Sequence, residues 1–107
     1  MPIPYRLYAH NGNCLETTTH CLQMGGEHAE ASHIRLLMDC AEICQTNAIF
    51  MLRKSDSHAQ VCGMCADICE QCVRDCERFE DNEMMTHCAE MCRSCAQSCR
   101  EMSEMGA

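Results

Sequence analysis

The chain has 107 residues, enough for one domain with a modest core. Thirteen cysteines and ten methionines, against two Tyr, two Phe and no Trp, put sulfur where most domains carry hydrocarbon. A net charge of −8, from 16 acidic and 8 basic residues, disfavours nucleic acid and anionic membrane as partners, and no stretch approaches the ~20 apolar residues of a membrane span.

The start, MPIPYRLYAH, holds two prolines, no apolar run and no twin arginine, so no signal peptide is visible. The expected compartment is the reducing cytoplasm, where many cysteines read as metal ligands before they read as bridges. Pro2 and Pro4 confine disruption to the N-terminus, and residues 1–10 are expected as extended chain covering the bundle with Ile3, Tyr5, Leu7 and Tyr8. Asn13, with Glu16 three residues later, opens a first helix over 13–24 that Gly25-Gly26 stops. At ~12 residues it rises only ~18 Å and is short beside its neighbours. A second helix spans 28–54. Its inward line reads His33, Leu37, Cys40, Cys44, Asn47 and Met51, but Ile34, Leu36, Met38, Ile43, Ile49, Phe50 and Leu52 make it apolar on more than one side. A helix of that kind is expected to be covered on both faces, hence to form an oligomer interface.

Ser57 with Gln60 reads as a capping box opening a third helix over 57–79, and Asp81-Asn82-Glu83 caps a fourth over 82–104. No segment shows the period-2 alternation of a strand. Short connections make neighbours antiparallel. The expected fold is all-α: a single domain, 1–107, forming an up-down-up-down four-helix bundle with a short first helix and a cysteine-lined core.

The cysteines carry the main signal. They fall at Cys14 and Cys21, at Cys40 and Cys44, at Cys62, Cys65, Cys69, Cys72 and Cys76, and at Cys88, Cys92, Cys95 and Cys99. Every gap within a segment is 3, 4 or 7, the inward stripe of an amphipathic helix. The other face of the third helix carries Asp67, Glu70, Arg74, Glu77 and Arg78, as a solvated face should. Cysteine thus stands where leucine normally does. It fills less volume, so a core built of it alone is underpacked and something else is expected in the space.

Disulfides suit this pattern poorly, because helical neighbours have Cβ atoms ~5–6 Å apart and a disulfide wants ~3.5–4.5 Å. Zinc and iron–sulfur centres need discrete sets of four ligands, whereas a seam of 3s and 4s has no boundary between one set and the next. Cu(I) accepts two or three soft ligands and shares bridging thiolates. With one copper per thiolate the buried charge cancels, whereas zinc in a four-thiolate site leaves a surplus negative charge. Multiple Cu(I) ions per chain, on the order of a dozen, are the expected cargo, with all thirteen cysteines as ligands. A zinc or mixed-metal thiolate buffer and a thiol redox sensor or oxidant buffer are the alternatives. No catalytic constellation is visible, so an enzyme is not expected.

The runs "CAEIC" at 40–44, "CADICEQCVRDC" at 65–76 and "CAEMCRSCAQSC" at 88–99 resemble the copper storage protein family over residues 13–104. That resemblance implies four-helix bundles that pack many Cu(I) ions along a cysteine-lined core, commonly as homo-tetramers, here in the cytoplasm and with the copper donor or acceptor protein open. Leu37 and Asn47 stand where further cysteines are expected, so the copper file is expected to be lopsided. Alternating helix directions gather Met24, His28, His33, Met84, Met85 and His87 at one end of the bundle and Met51, His58, Met102 and Met105 at the other, with His10 near the second. Thioether and imidazole suit copper, so these sets are candidate ligands at the mouth of the tube. The end holding Met24, His33 and Met85 is the favoured one.

Overall fold

The computed structural model describes residues 2–79 and 82–105, with the Met105 side chain outside the description. Four helices follow one another: α1 Ile3–Met24, α2 Ala31–Leu52, α3 His58–Cys76 and α4 Glu83–Met105. One 3₁₀ turn, Gly26–Ala29, joins α1 to α2, and another, Glu77–Phe79, follows α3. The described residues contain no strand. Each helix lies antiparallel to the next in a body of 42 × 24 × 18 Å, with α1 packed chiefly on α2 and α3 chiefly on α4. No described helix is long and apolar enough to cross a membrane.

The first helix corrects the expectation. It is 22 residues long, ~33 Å, and runs the full height of the bundle. Residues 3–10 belong to it and are not an extended cover. The prolines are the reason: Pro2 is the N-cap and Pro4 lies in the first turn, where a missing N–H has no helical acceptor to lose. The Tyr5 and Arg6 amides donate to the Pro2 carbonyl at 3.1 and 3.2 Å and start the helix there. Asn13 is therefore an interior residue and not a cap.

Other boundaries follow from local chemistry. Gly25 and Gly26, at φ 73° and 56°, adopt the left-handed conformation that side chains resist, and the Gly25 amide donates to the Cys21 carbonyl at 3.2 Å. The capping box at Ser57 does not form. The Ser57 side chain caps nothing, and its backbone amide instead donates to Ser55 Oγ at 3.1 Å. At α4 the Met85 amide donates to Asn82 Oδ1 at 3.2 Å, while Asn82 Nδ2 meets His20 Nε2 at 3.0 Å and ties the start of α4 to the end of α1. Asp81, grouped with that cap in the sequence, lies outside the described residues.

The core holds all thirteen cysteines, none more than 7% exposed. Leu7, Leu37 and Met85 are its largest fully buried apolar side chains. The solvated face of α3 and the turn that follows it bond to α4 through Arg100–Asp67, Arg100–Glu70 and, from the turn, Arg93–Glu77. Such exposed pairs contribute ~0–1 kcal/mol each, so the seam between the helices is held mainly by what lies inside. On the other side of the molecule Leu15 and Leu22 of α1 and Met38, Ile49 and Leu52 of α2 remain exposed.

Candidate metal centre

Four inward stripes meet along the axis. α1 contributes Leu7, His10, Cys14, Thr17, Thr18 and Cys21, all buried at spacings of 3 or 4 apart from the adjacent threonine pair. Both threonine hydroxyls turn back onto their own helix, Thr17 to the Asn13 carbonyl and Thr18 to the Cys14 carbonyl, each at 2.8 Å. They satisfy themselves locally and leave the sulfur donors to face one another.

Across helices, Cys40 Sγ lies 3.7 Å from Cys69 Sγ, and Cys44 Sγ lies 3.8 Å from both Cys65 and Cys69. Within α3 the Cys65–Cys69 and Cys72–Cys76 sulfurs are 4.0 and 3.9 Å apart. These are free thiols, well beyond the ~2.05 Å of a disulfide. A metal ~2.3 Å from each of two sulfurs spans such gaps with tetrahedral to trigonal angles.

Three donor groups stand out. His10, Cys40, Cys44 and Cys69 form one, and His10, Cys14, Cys40 and Cys92 a second; Cys72, Cys88 and Cys92 form a third, the ligand atoms in each lying within 4.8 Å of one another. The first two share His10 and Cys40, and the second and third share Cys92. The sets overlap and do not close on themselves. Of the shared donors, the Cys40 and Cys92 thiolates are able to bridge two ions, whereas the His10 imidazole, with one lone pair to give, serves one set at a time.

His10 is the residue that sequence reasoning misplaced. It was expected near the end of the bundle that holds Met51, His58 and Met102, but it is fully buried in mid-core, with Nε2 3.1 Å from Cys92 Sγ and Nδ1 3.3 Å from Cys44 Sγ. Its place four residues before Cys14 in the 3-and-4 rhythm was the available signal. Burial opposes charge on His10, but the neighbouring Cys40, Cys88 and Cys95 sulfurs outweigh it and hold its pKa up at about 12. Asn47 is buried too. Its amide donates to Cys99 Sγ at 3.3 Å and accepts from the Cys62 thiol at 3.2 Å, so it crosslinks two sulfurs where a cysteine is missing.

The candidate mouth residues divide. At one end Cys21 Sγ is a hub, 3.3 Å from His33 Nε2, 3.5 Å from Met85 Sδ and 3.7 Å from His28 Nδ1. Met24 is 53% exposed, His87 is exposed and Met84 is half-buried, and none of them joins that group. At the other end Met51, His58 and Met102 line one open cavity beside Ile3 and Pro4, with His58 Nδ1 bonded to the Ser55 carbonyl at 3.0 Å. The Met105 side chain lies outside the described residues.

Burial, with Cys88 and Asp75 adding to it, pushes the Cys21 thiol up to about 11 from 9.0, and burial raises Cys62 as well. The unfolded Cys21 thiol ionises near 9.0, whereas the native one keeps its proton to about 11. The unfolded state therefore binds fewer protons across that window, and metal-free stability falls as pH rises through it. His10, whose native pKa is raised from 6.5, adds a loss of the same sign from about pH 6.5. Anaerobic urea melts at pH 7.5, 9, 10 and 11 should therefore show a midpoint that falls throughout and more steeply above about 9; a midpoint that rises with pH would contradict this.

Both the sequence and the fold have counterparts among known proteins. The family model for the copper storage protein matches residues 6–104. This chain belongs to the copper storage protein family. A crystal structure of the Nmul_A1745 protein from Nitrosospira multiformis superposes with a TM-score of 0.89 at 42% identity, covering 96% of this chain and 93% of that one. An uncharacterized cysteine-rich protein, YhjQ, from Bacillus subtilis (strain 168) is 36% identical over 67 residues. That match takes in 63% of this chain and spans 62% of the length of YhjQ. The copper storage match covers α1 almost from its start, in keeping with a first helix that is full length.

Proposed function

We propose that this copper storage family member holds multiple Cu(I) ions along its axis, bridged by the thirteen cysteine thiolates, with His10 as a nitrogen donor in mid-file once the incoming metal has displaced its proton. The observation that carries the reading is the sharing of Cys40 and Cys92 between neighbouring donor sets. One cysteine serving two sets is what bridging thiolates do, and it keeps the ratio of copper to thiolate near one, so that buried charge cancels. The function is storage or buffering in the reducing cytoplasm and involves no catalysis. The exposed apolar residues of α1 and α2, Leu15, Leu22, Met38 and Ile49, support a homo-oligomer built on that face, with a tetramer favoured by the family.

Anaerobic titration of the reduced protein with Cu(I), against a competing chelator, should saturate on the order of a dozen equivalents, with about one proton released per ion. Saturation at one or two would end the reading. Zinc is the second reading, favoured by the two groups that join His10 to three cysteines, a recognised zinc donor set. It should fill only about three sites, so the same titration separates the two. Burial of all thirteen thiols weighs against a redox sensor, which needs an accessible thiolate.

A further inference from the structure

The end of the file at Cys21 differs from its middle in one respect: a carboxylate stands behind one of its donors. Asp75 Oδ1 accepts from Arg78 Nε at 3.0 Å, and Arg78 Nη2 lies 2.9 Å from the same oxygen. Its other oxygen, Oδ2, meets His33 Nδ1. A carboxylate only accepts, so the His33 proton sits on Nδ1 and the Nε2 lone pair faces the Cys21 sulfur 3.3 Å away.

We infer that Asp75 is a positioning residue for the outermost copper: its carboxylate, anchored by Arg78, fixes the tautomer and ring orientation of His33 so that Nε2 and Cys21 Sγ together receive the ion. The inference rests on the storage reading, since it concerns the ion that passes into the file at Cys21. Carboxylates behind histidine ligands act this way at metal sites in general, and losing them weakens binding or activity ~10–100-fold.

The surroundings of Cys21 also set this end apart. The donors around Cys21 are two imidazoles and one thioether, so a single thiolate meets a single Cu(I) charge and the position is neutral without bridging. Asp75 adds no net charge, because Arg78 balances it. The same guanidinium lies 5.0 Å over the Phe79 ring, which packs 4.0 Å from the His28 ring and 5.0 Å from that of His33. His28 is half-buried and His33 fully buried, so one imidazole faces solvent and the other the file. At the opposite end His58 is tied to a backbone carbonyl instead.

The test follows Cu(I) transfer from a coloured Cu(I)–bicinchoninate complex to the reduced full-length protein by anaerobic stopped flow. D75A should slow the fast phase about tenfold while copper at saturation stays unchanged, and D75E should restore most of the rate. Long-range ¹H–¹⁵N spectra should place the His33 proton on Nδ1 in the native protein and show mixed tautomers in D75A. If D75A does not fold, D75N carries the same expectations. An unchanged fast phase in the variant, or a native His33 protonated on Nε2, overturns the inference while leaving storage intact. Saturation of the native protein at one or two coppers overturns storage itself.

Discussion

Loading the reduced protein with Cu(I) should raise its melting temperature by at least ~20 °C. Each ion that binds only the native state at a hundredfold excess over its Kd adds ~2.7 kcal/mol, and in a domain of this size 1 kcal/mol moves Tm by ~4–8 °C. Three such ions already exceed the shift, and the donor groups around Cys40 and Cys92 offer room for more. The cause is the core itself. Thiols of α2 and α3 lie 3.7–4.0 Å apart, Cys14 of α1 and Cys88 and Cys92 of α4 join donor groups whose atoms lie within 4.8 Å, and no covalent bond links them; metal converts those contacts into crosslinks. Circular dichroism melts of metal-free, loaded and chelator-stripped protein check this. A loaded Tm within a few degrees of the metal-free value would show that the ions bind elsewhere than between the helices.

Leu37→Ala and Cys40→Ala should fail in opposite ways. Leu37 is fully buried and, with Leu7, among the largest side chains in a core otherwise dominated by small thiols. Truncating it removes ~2–5 kcal/mol, a large share of the ~5–15 kcal/mol that a domain has in total. Metal-free L37A should therefore unfold at clearly lower urea than the native metal-free protein and recover when copper is added, with its capacity intact. Cys40 is just as buried, but loses only a sulfur atom on replacement, costing about 1 kcal/mol. It belongs to both donor groups that contain His10, so C40A should keep its fold and lose copper. Anaerobic urea melts and Cu(I) titrations on both variants give the answer. A C40A protein with native capacity would remove Cys40 from the file.

The cysteine stripes were legible because helical period is a local property: the 3-and-4 spacing from Cys62 to Cys76 puts five sulfurs on one side of α3 wherever that helix goes. The helix stop at Gly25-Gly26 was legible for a similar reason, since positive φ is a demand on one residue at a time. The first ten residues were misread because a proline is judged as a breaker by its missing N–H, which costs nothing in a first turn. Restoring that segment to α1 carries His10 from an end of the bundle to its middle. The Ser57 cap failed because the side chain of Ser55, two residues earlier, takes the Ser57 amide, a competition between neighbours that a motif does not reveal.

The residues alone determined that this chain would fold as helices with sulfur on their inner faces, and that soft metal is what such a core suits. Charge, composition and period are carried by each segment separately. Only the tertiary structure decided which donors meet: that His10 stands among Cys40, Cys44 and Cys92, that His33 and Met85 converge on Cys21 while Met24 does not, and that Asp75 stands behind His33. Those pairings depend on the relative height and rotation of four helices. Packing sets both, through the volumes of side chains such as Leu7, Leu37 and Phe79 that are far apart in the chain.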